Sequence, residues 1–197
     1  MNATLRDIWD ECVSYGEQSP EYVQKQIHKV PPTDVVDRVR SIVPRCAGKR
    51  VLSLGCTGYL QEAIDAVAQR SYGIDRDAQG REWFFQMDLD DFDEFPKFDV
   101  DLVVCGEVLE HLANPGRVLK ALREYERPVV ITVPNAHASG SYQSLRRGVE
   151  NVNRDHVAYY SYWTLHELVA RYGFEITEWH WYNGVPLFAE GLIFWVK

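Results

Sequence analysis

From Arg50 to Lys197, short apolar runs alternate with amphipathic segments, and this alternation leaves the chain few architectures. "RVLSL", "SYGID", "EWFFQM", "FDVDLVVCG" and "RPVVITV" read as strands. "YLQEAIDAVAQR", a helix through "EVLEHL" and "PGRVLKALREY", and "YWTLHELVARY" read as the helices. Strands and helices in turn predict an α/β fold, a mostly parallel sheet covered on both faces. The last two strands, "GFEITEWHWY" and "GLIFWVK", are joined by "NGVPLFAE" without a helix and are expected to pair antiparallel at one edge. Only seven residues, "RDAQGRE", separate Asp75 from Trp83, whereas a parallel crossover takes about a dozen or more. The helix between the second and third strands is therefore expected to be missing. Trp83 and Phe85 would then be covered by N-terminal helices or by a second subunit in a homodimer.

Residues 1–44 read as helices: "TLRDIWDECVSY", "SPEYVQKQIHKV" and "PTDVVDRVRSIV", closed by Pro44. Ser19 and Pro20 make an N-cap and first-turn pair. At 197 residues the chain suits a single domain. Its 21 basic and 29 acidic residues give a net charge of -8, which argues against a nucleic-acid partner. Arg146, Arg147 and Arg154 are close enough in sequence to form a local basic stripe. Cys12, Cys46, Cys56 and Cys105 show no metal or disulfide spacing and read as free thiols. No secretion signal opens the sequence, and no apolar run reaches the roughly 20 residues that span a bilayer. A cytoplasmic protein without membrane attachment is expected.

"VLSLGCTGYL" ends a strand in a glycine-bearing turn and opens a helix. A dinucleotide site would carry G-x-G-x-x-G and a P-loop would end in Gly-Lys-Ser/Thr; neither is present. Gly55 and Gly58 alone are compatible with a plain turn. Asp75 ends the next strand about twenty residues on, where an acid can accept the ribose hydroxyls of a bound adenosine. Asp88 in "QMDLDDF" follows the third strand and is placed to accept an adenine amino proton, with Leu89 as an apolar surface. Each acid alone reads equally as a turn former; together, in order at successive strand ends, they outline a nucleoside site.

With these segments, and with "FDVDLVVCGEVLEHLANP", "VVITVPN" and "DHVAYYSYWTLHELVARYGFEI", the chain resembles the class I S-adenosylmethionine-dependent methyltransferases from about Arg50 to Lys197. The resemblance implies a Rossmann-like seven-stranded sheet whose last strand is inserted antiparallel. It also implies a helical cap over 1–44, a cofactor-binding half over 50–133 and an acceptor-side half over 134–197. S-adenosyl-L-methionine would be met by Ser53, Gly55, Cys56 and Gly58 around the methionine moiety, by Asp75 at the ribose and by Asp88 and Leu89 at the adenine. Cys105 and Gly106 would lie near the sulfonium. Two departures stand out: Ser53 replaces the usual acid of the first strand, and Thr57 stands where glycine is common.

After the fourth strand, Glu107, Glu110 and His111 would share one face of a helix, three and four residues apart. The two acids would also suit the positive end of that helix without any further role. "E-x-x-E-H" followed by "D-H" resembles two metal-using branches, the ubiquinone-pathway O-methyltransferases and the small-RNA terminal 2′-O-methyltransferases. That resemblance implies Glu107, Glu110, His111 and His156 as ligands of Mg, Mn or Zn, donors that suit all three ions. A divalent ion lowers the pKa of a hydroxyl and orients it. Without metal, His156 or His111 is the natural general base; His137 is a third candidate. Residues 135–162, with Tyr142, Tyr159, Tyr160, Tyr162, Trp163, Arg146 and Arg147, are expected to wall the acceptor, with at least two of the tyrosines in the core. The expected function is O-methylation of a small hydroxylated acceptor, a sugar, nucleoside or phenol. RNA 2′-O-methylation and a non-catalytic binding protein of the same fold are the alternatives.

Overall fold

The computed structural model describes residues 35–55, 58–77, 80–150 and 153–197. The first two expected helices fall before residue 35, outside the described residues. The third begins later than expected. Val35–Val36 forms a two-residue strand, β1, and helix α1 (Arg38–Cys46) starts at Asp37, whose side chain accepts from the Arg40 N–H at 3.0 Å. Pro44 does not close the region; it sits inside α1, where it removes one helical N–H donor, and the helix ends two residues later at Cys46.

The remaining elements are β2 (Arg50–Leu54), α2 (Gly58–Asp65), β3 (Arg70–Asp75), β4 (Phe84–Gln86), β5 (Leu102–Gly106), a 3-10 turn at Leu109–His111, α3 (Pro115–Arg123), β6 (Val129–Pro134), α4 (Ser139–Leu145), α5 (Tyr162–Arg171), β7 (Ile176–Tyr182) and β8 (Gly191–Val196). They form one sheet in the order β1-β7-β8-β6-β5-β2-β3-β4. β8 is antiparallel to both β6 and β7, and the other pairs are parallel. This is the expected seven-stranded sheet with its last strand inserted antiparallel, extended at one edge by the short β1. The expected hairpin of the last two strands is present, but β8 lies inside the sheet and is buried along its whole length. The described residues, from Val35 to Lys197, belong to one compact unit.

Alternation along the strands divides the core. Val51, Leu102, Val104, Val130 and Ile193 face α1 and α2, where they meet Ile42, Cys46, Leu60 and Ile64. Residues one position away, such as Leu52, Val103, Ile131 and Phe194, face the other side. There Tyr162 of α5 packs on Phe194 and Trp179, with ring centroids 5.5 and 4.4 Å apart. α5 is started by a reciprocal cap: Ser161 Oγ accepts from Thr164 N and Thr164 Oγ1 from Ser161 N.

The described residues between β3 and β4 contain no helix, as the short spacing predicts. An aromatic cluster fills part of that space: Tyr72 stacks on Phe98 at 4.8 Å, Phe85 lies 5.0 Å from Phe98, and Arg70 sits 5.0 Å above Trp83. Trp83 and Phe85 remain 45% and 40% exposed. Among the described residues, no helix is long and apolar enough to cross a membrane.

Candidate active site

The sheet order reverses between β2 and β5, because β3 and β4 are added on one side and β6 on the other. In an open α/β sheet the crevice beyond the carboxyl ends of such strands is the place for a ligand. A cavity of about 530 Å³ lies there. Its wall follows the strand order: Met87, Asp88 and Leu89 after β4, Asp75 at the end of β3, Ser53 and Gly55 at the end of β2, and Gly106 and Glu107 at the end of β5. The volume is that of a cofactor-sized site.

Asp75 and Asp88, weak signals singly, share this cavity. Each also caps its own turn, Asp75 Oδ1 accepting from Asp77 N and Asp88 Oδ1 from Asp90 N, both at 2.9 Å. The loop carrying Asp88 is braced from behind, as Asp90 accepts from the Ala113 and Asn114 amides at 3.2 Å. Gly55 has φ +68, and a Cβ there would stand 2.6 Å from Val108 Cγ2, so only glycine fits the turn. The Ser53 hydroxyl is buried and has no hydrogen-bond partner among the described residues, which leaves a polar atom for a ligand to satisfy. Gly58 opens α2 but does not line the cavity. Cys56 lies outside the described residues. Cys105, expected near the sulfonium, is a fully buried core residue whose thiol burial pushes its pKa upward; its neighbour Gly106 forms the wall instead.

The helix expected through "EVLEHL" does not form. Asn114 precedes Pro115, and a residue before proline is disfavoured from helical geometry; Leu112 and Asn114 take φ, ψ of -89°, 128° and -131°, 75°. α3 therefore begins afresh at Pro115, and only one 3-10 turn remains upstream. Glu107 stands outside that turn with φ +58. It consequently parts from Glu110 and His111. Its Oε1 accepts from Tyr182 OH at 2.8 Å and Thr132 Oγ1 at 3.0 Å and pairs with Arg38 Nη1 at 3.3 Å.

Glu110, His111 and His156 do come together, with one donor atom from each within 4.8 Å of the others. Backbone bonds hold the arrangement: Val157 N and Ala158 N donate to Glu110 O, and His111 Nδ1 lies 3.2 Å from Asp155 O. Glu110 is 1% exposed, and neither of its carboxylate oxygens has a partner among the described residues. Burial first, and the charge of Glu107 second, push its pKa up to about 8. Burial and the neighbouring His111 lower the pKa of His156. An orphaned buried carboxyl beside two imidazoles fits a divalent cation, whose charge would offset that burial.

The trio separates two spaces. His111 lines the large cavity, while Glu110 and His156 line a second one of about 100 Å³ with Asn135, Ser141, Asn153 and Tyr159. Of the other acceptor-side aromatics, Tyr160 is core, donating to Leu109 O at 3.3 Å, and Tyr162 at the start of α5 packs on Phe194. Tyr142 and Tyr159 are exposed. His137 and the two arginines Arg146 and Arg147 are also exposed and line neither cavity. The helix α4 in this stretch carried no clear periodic signal. Arg38, Thr132 and Tyr182 are site residues that the sequence did not point to, since each acts through an element distant along the chain.

The sequence model of a family described as a methyltransferase domain matches residues 15–178. The chain is 28% identical to ubiquinone biosynthesis O-methyltransferase from Aromatoleum aromaticum over 120 residues, 53% of this chain and 50% of that protein. It thus spans about half the length of that curated relative. The crystal structure of small RNA methyltransferase HEN1 superposes with a TM-score of 0.64 at 16% identity, covering 81% of this chain and 25% of that one. A SAM-dependent methyltransferase from Archaeoglobus fulgidus superposes with a TM-score of 0.61 at 15% identity, covering 81% and 91%. At these identities the structures speak for the fold, and the match over most of the chain decides the family. The chain belongs to the methyltransferase-domain family, and its fold is that of S-adenosylmethionine-dependent methyltransferases.

Proposed function

We propose that this methyltransferase acts on the oxygen of a small hydroxylated acceptor, a sugar, nucleoside or phenol, with a divalent Mg, Mn or Zn ion held by Glu110, His111 and His156. The observation that carries this reading is the trio's position between the cofactor cavity and the smaller polar cavity, with the Glu110 carboxyl buried and unpartnered. The likeness to the Aromatoleum relative, an O-methyltransferase, supports transfer to oxygen.

In this mechanism Asp88 and Leu89 receive the adenine, Asp75 the ribose hydroxyls, and Gly106 backs the methyl-bearing end. A bound cation would lower the pKa of the acceptor hydroxyl and fix its oxygen. The chain's own contribution is orientation and exclusion of water: a held acceptor oxygen converts a two-body encounter into attack within one complex. Without a bound cation, His156 or His111 would instead be the base that takes the hydroxyl proton. Asn135, Ser141 and Asn153 offer hydrogen bonds to further acceptor hydroxyls in the 100 Å³ cavity. The acidic chain makes RNA the less favoured acceptor.

The test is transfer of a labelled methyl group to a panel of catechols, sugars and nucleosides, before and after chelation and readdition of each metal. Metal-dependent methylation of an oxygen is expected. Turnover that is unchanged both by chelation and by Glu110→Ala would remove the metal from the proposal.

A further inference from the structure

Large apolar side chains that stay exposed are unevenly spread over this protein. Of the thirteen among the described residues, eight lie in residues 142–159 and 185–188. Single exposed side chains need no explanation, but a concentration of them marks an interaction surface. Two elements supply most of it: α4, which buries none of its residues, and the loop between β7 and β8. They are joined directly. Ser139 N donates to Phe188 O at 3.0 Å, and the Tyr142 and Phe188 rings lie 6.3 Å apart.

The loop is pinned in its outward posture. Val185 and Leu187 are 64% and 56% exposed, and Leu187 keeps a φ of +69 that is unfavourable for a residue with a Cβ. The buried Asn135 amide fixes that backbone, its Nδ2 donating to Leu187 O at 2.7 Å and Ala189 O at 2.9 Å. Glu190 N closes the loop on Asn183 O at 3.0 Å. The apolar side chains are therefore displayed by the fold.

Charge selects the occupant. Residues 139–149 and 184–189 hold Arg146 and Arg147 and no acid, in a chain whose net charge is -8. Both arginines are exposed, and the next acid, Glu150, accepts from Tyr159 OH at 3.1 Å. A second copy on the same face would set arginines against arginines. Tyr142, Leu145, Val185, Leu187 and Phe188 line none of the three cavities at this end of the sheet, so the surface projects and offers no groove to a protein ligand. Projecting apolar side chains beside guanidinium groups match the headgroup layer of an anionic bilayer, where the former insert and the latter meet phosphates. Repulsion from the acidic remainder of the chain is screened over about 8 Å at physiological salt, so the nearest charges set the orientation.

We propose that α4 and the β7–β8 loop dock this protein peripherally on an anionic lipid surface, with Leu145, Val185 and Leu187 inserted and Arg146 and Arg147 on lipid phosphates. Attachment of this kind needs no spanning helix. Ser141 of α4 also lines the 100 Å³ cavity, so docking turns that cavity toward the lipid. The docking stands apart from the identity of the methyl acceptor.

The experiment is flotation of the full chain with vesicles of phosphatidylcholine alone or of equal parts phosphatidylcholine and phosphatidylglycerol, at low and high salt. The wild type is expected to float with the anionic vesicles, more weakly in high salt, and hardly at all with the neutral ones. One arginine near such a surface is worth about fivefold in affinity, so the Arg146→Gln, Arg147→Gln double variant should lose about thirtyfold. Leu187→Asn, which suits a positive φ better than leucine does, should weaken flotation while leaving the melting temperature no lower; Tyr59→Ser, an exposed aromatic outside the patch, should change neither. A wild type that floats with neither vesicle would overturn the proposal without any variant. So would equal flotation with both vesicles that the arginine changes do not alter. Sedimentation showing a lipid-free dimer that Leu187→Asn dissociates would give the surface to a second copy instead.

Discussion

The rings of His111 and His156 meet edge to face, with centroids 4.6 Å apart and planes at 89°, beside a Glu110 carboxyl that has no hydrogen-bond partner among the described residues. The two histidines come from different segments, and the backbone bonds of Val157 and Ala158 to Glu110 O fix their meeting.

If this trio holds a cation, Glu110→Gln and His156→Gln should each reduce manganese or zinc affinity of the chelated protein by more than about tenfold. Loss of a mere hydrogen-bond partner of a ligand already costs roughly 10–100-fold. Binding is read by competition with a metal-sensitive dye, and the affinity for S-adenosylhomocysteine serves as the control that should hold.

Asp75→Ala should weaken S-adenosylhomocysteine by about tenfold or more, because two ribose hydroxyls lose a charged acceptor. The same variant should bind adenosine and its 2′,3′-dideoxy form alike, whereas the wild type prefers adenosine. A wild type that does not distinguish the two ligands removes the ribose role of Asp75.

Gly55→Ala should damage the cofactor turn. A left-handed backbone conformation costs a residue with a Cβ about 1–2 kcal/mol, and the new carbon would press on Val108 Cγ2 at 2.6 Å and Gly106 O at 3.3 Å. Chemical denaturation should report a stability loss of at least that order, and cofactor binding should weaken. Gly140→Ala, where a Cβ meets nothing within 4 Å, is the matched control expected to do neither.

Acid stability should carry the mark of the pair joining the start of β2 to β5. Arg50 donates to both Asp101 oxygens, through Nε at 3.1 Å and Nη2 at 2.7 Å, and holds that carboxyl well below the usual carboxylate range. A depressed folded-state value means the contribution is complete above the unfolded value near 3.8 and disappears as pH falls through the folded value. Asp101→Asn should therefore be less stable than the wild type by a constant amount above about pH 5, and the two denaturation curves should converge in stronger acid. A gap that persists to the lowest pH measured would refute the assignment.

What the sequence by itself determined was whatever is recorded locally. Alternation of apolar runs with amphipathic ones set the strands of an α/β sheet, and the seven residues after Asp75 ruled out a crossover helix there. Asp75 and Asp88 were legible because their position at strand ends follows from the strands themselves. The same spacing rule misled at Glu107: it lies three positions before Glu110, one turn apart on a helix, but Pro115 cut the helix short and a positive φ turned Glu107 aside. Where its carboxylate went was decided by partners 25 and 75 positions further along, Thr132 and Tyr182, and by Arg38 on α1. Only the insertion of β8 between β6 and β7 brings those strands and helix to one end of the crevice. Periodicity records which face of an element is buried; it holds no record of which distant element will stand opposite, and that is where the polar contacts of this site are made.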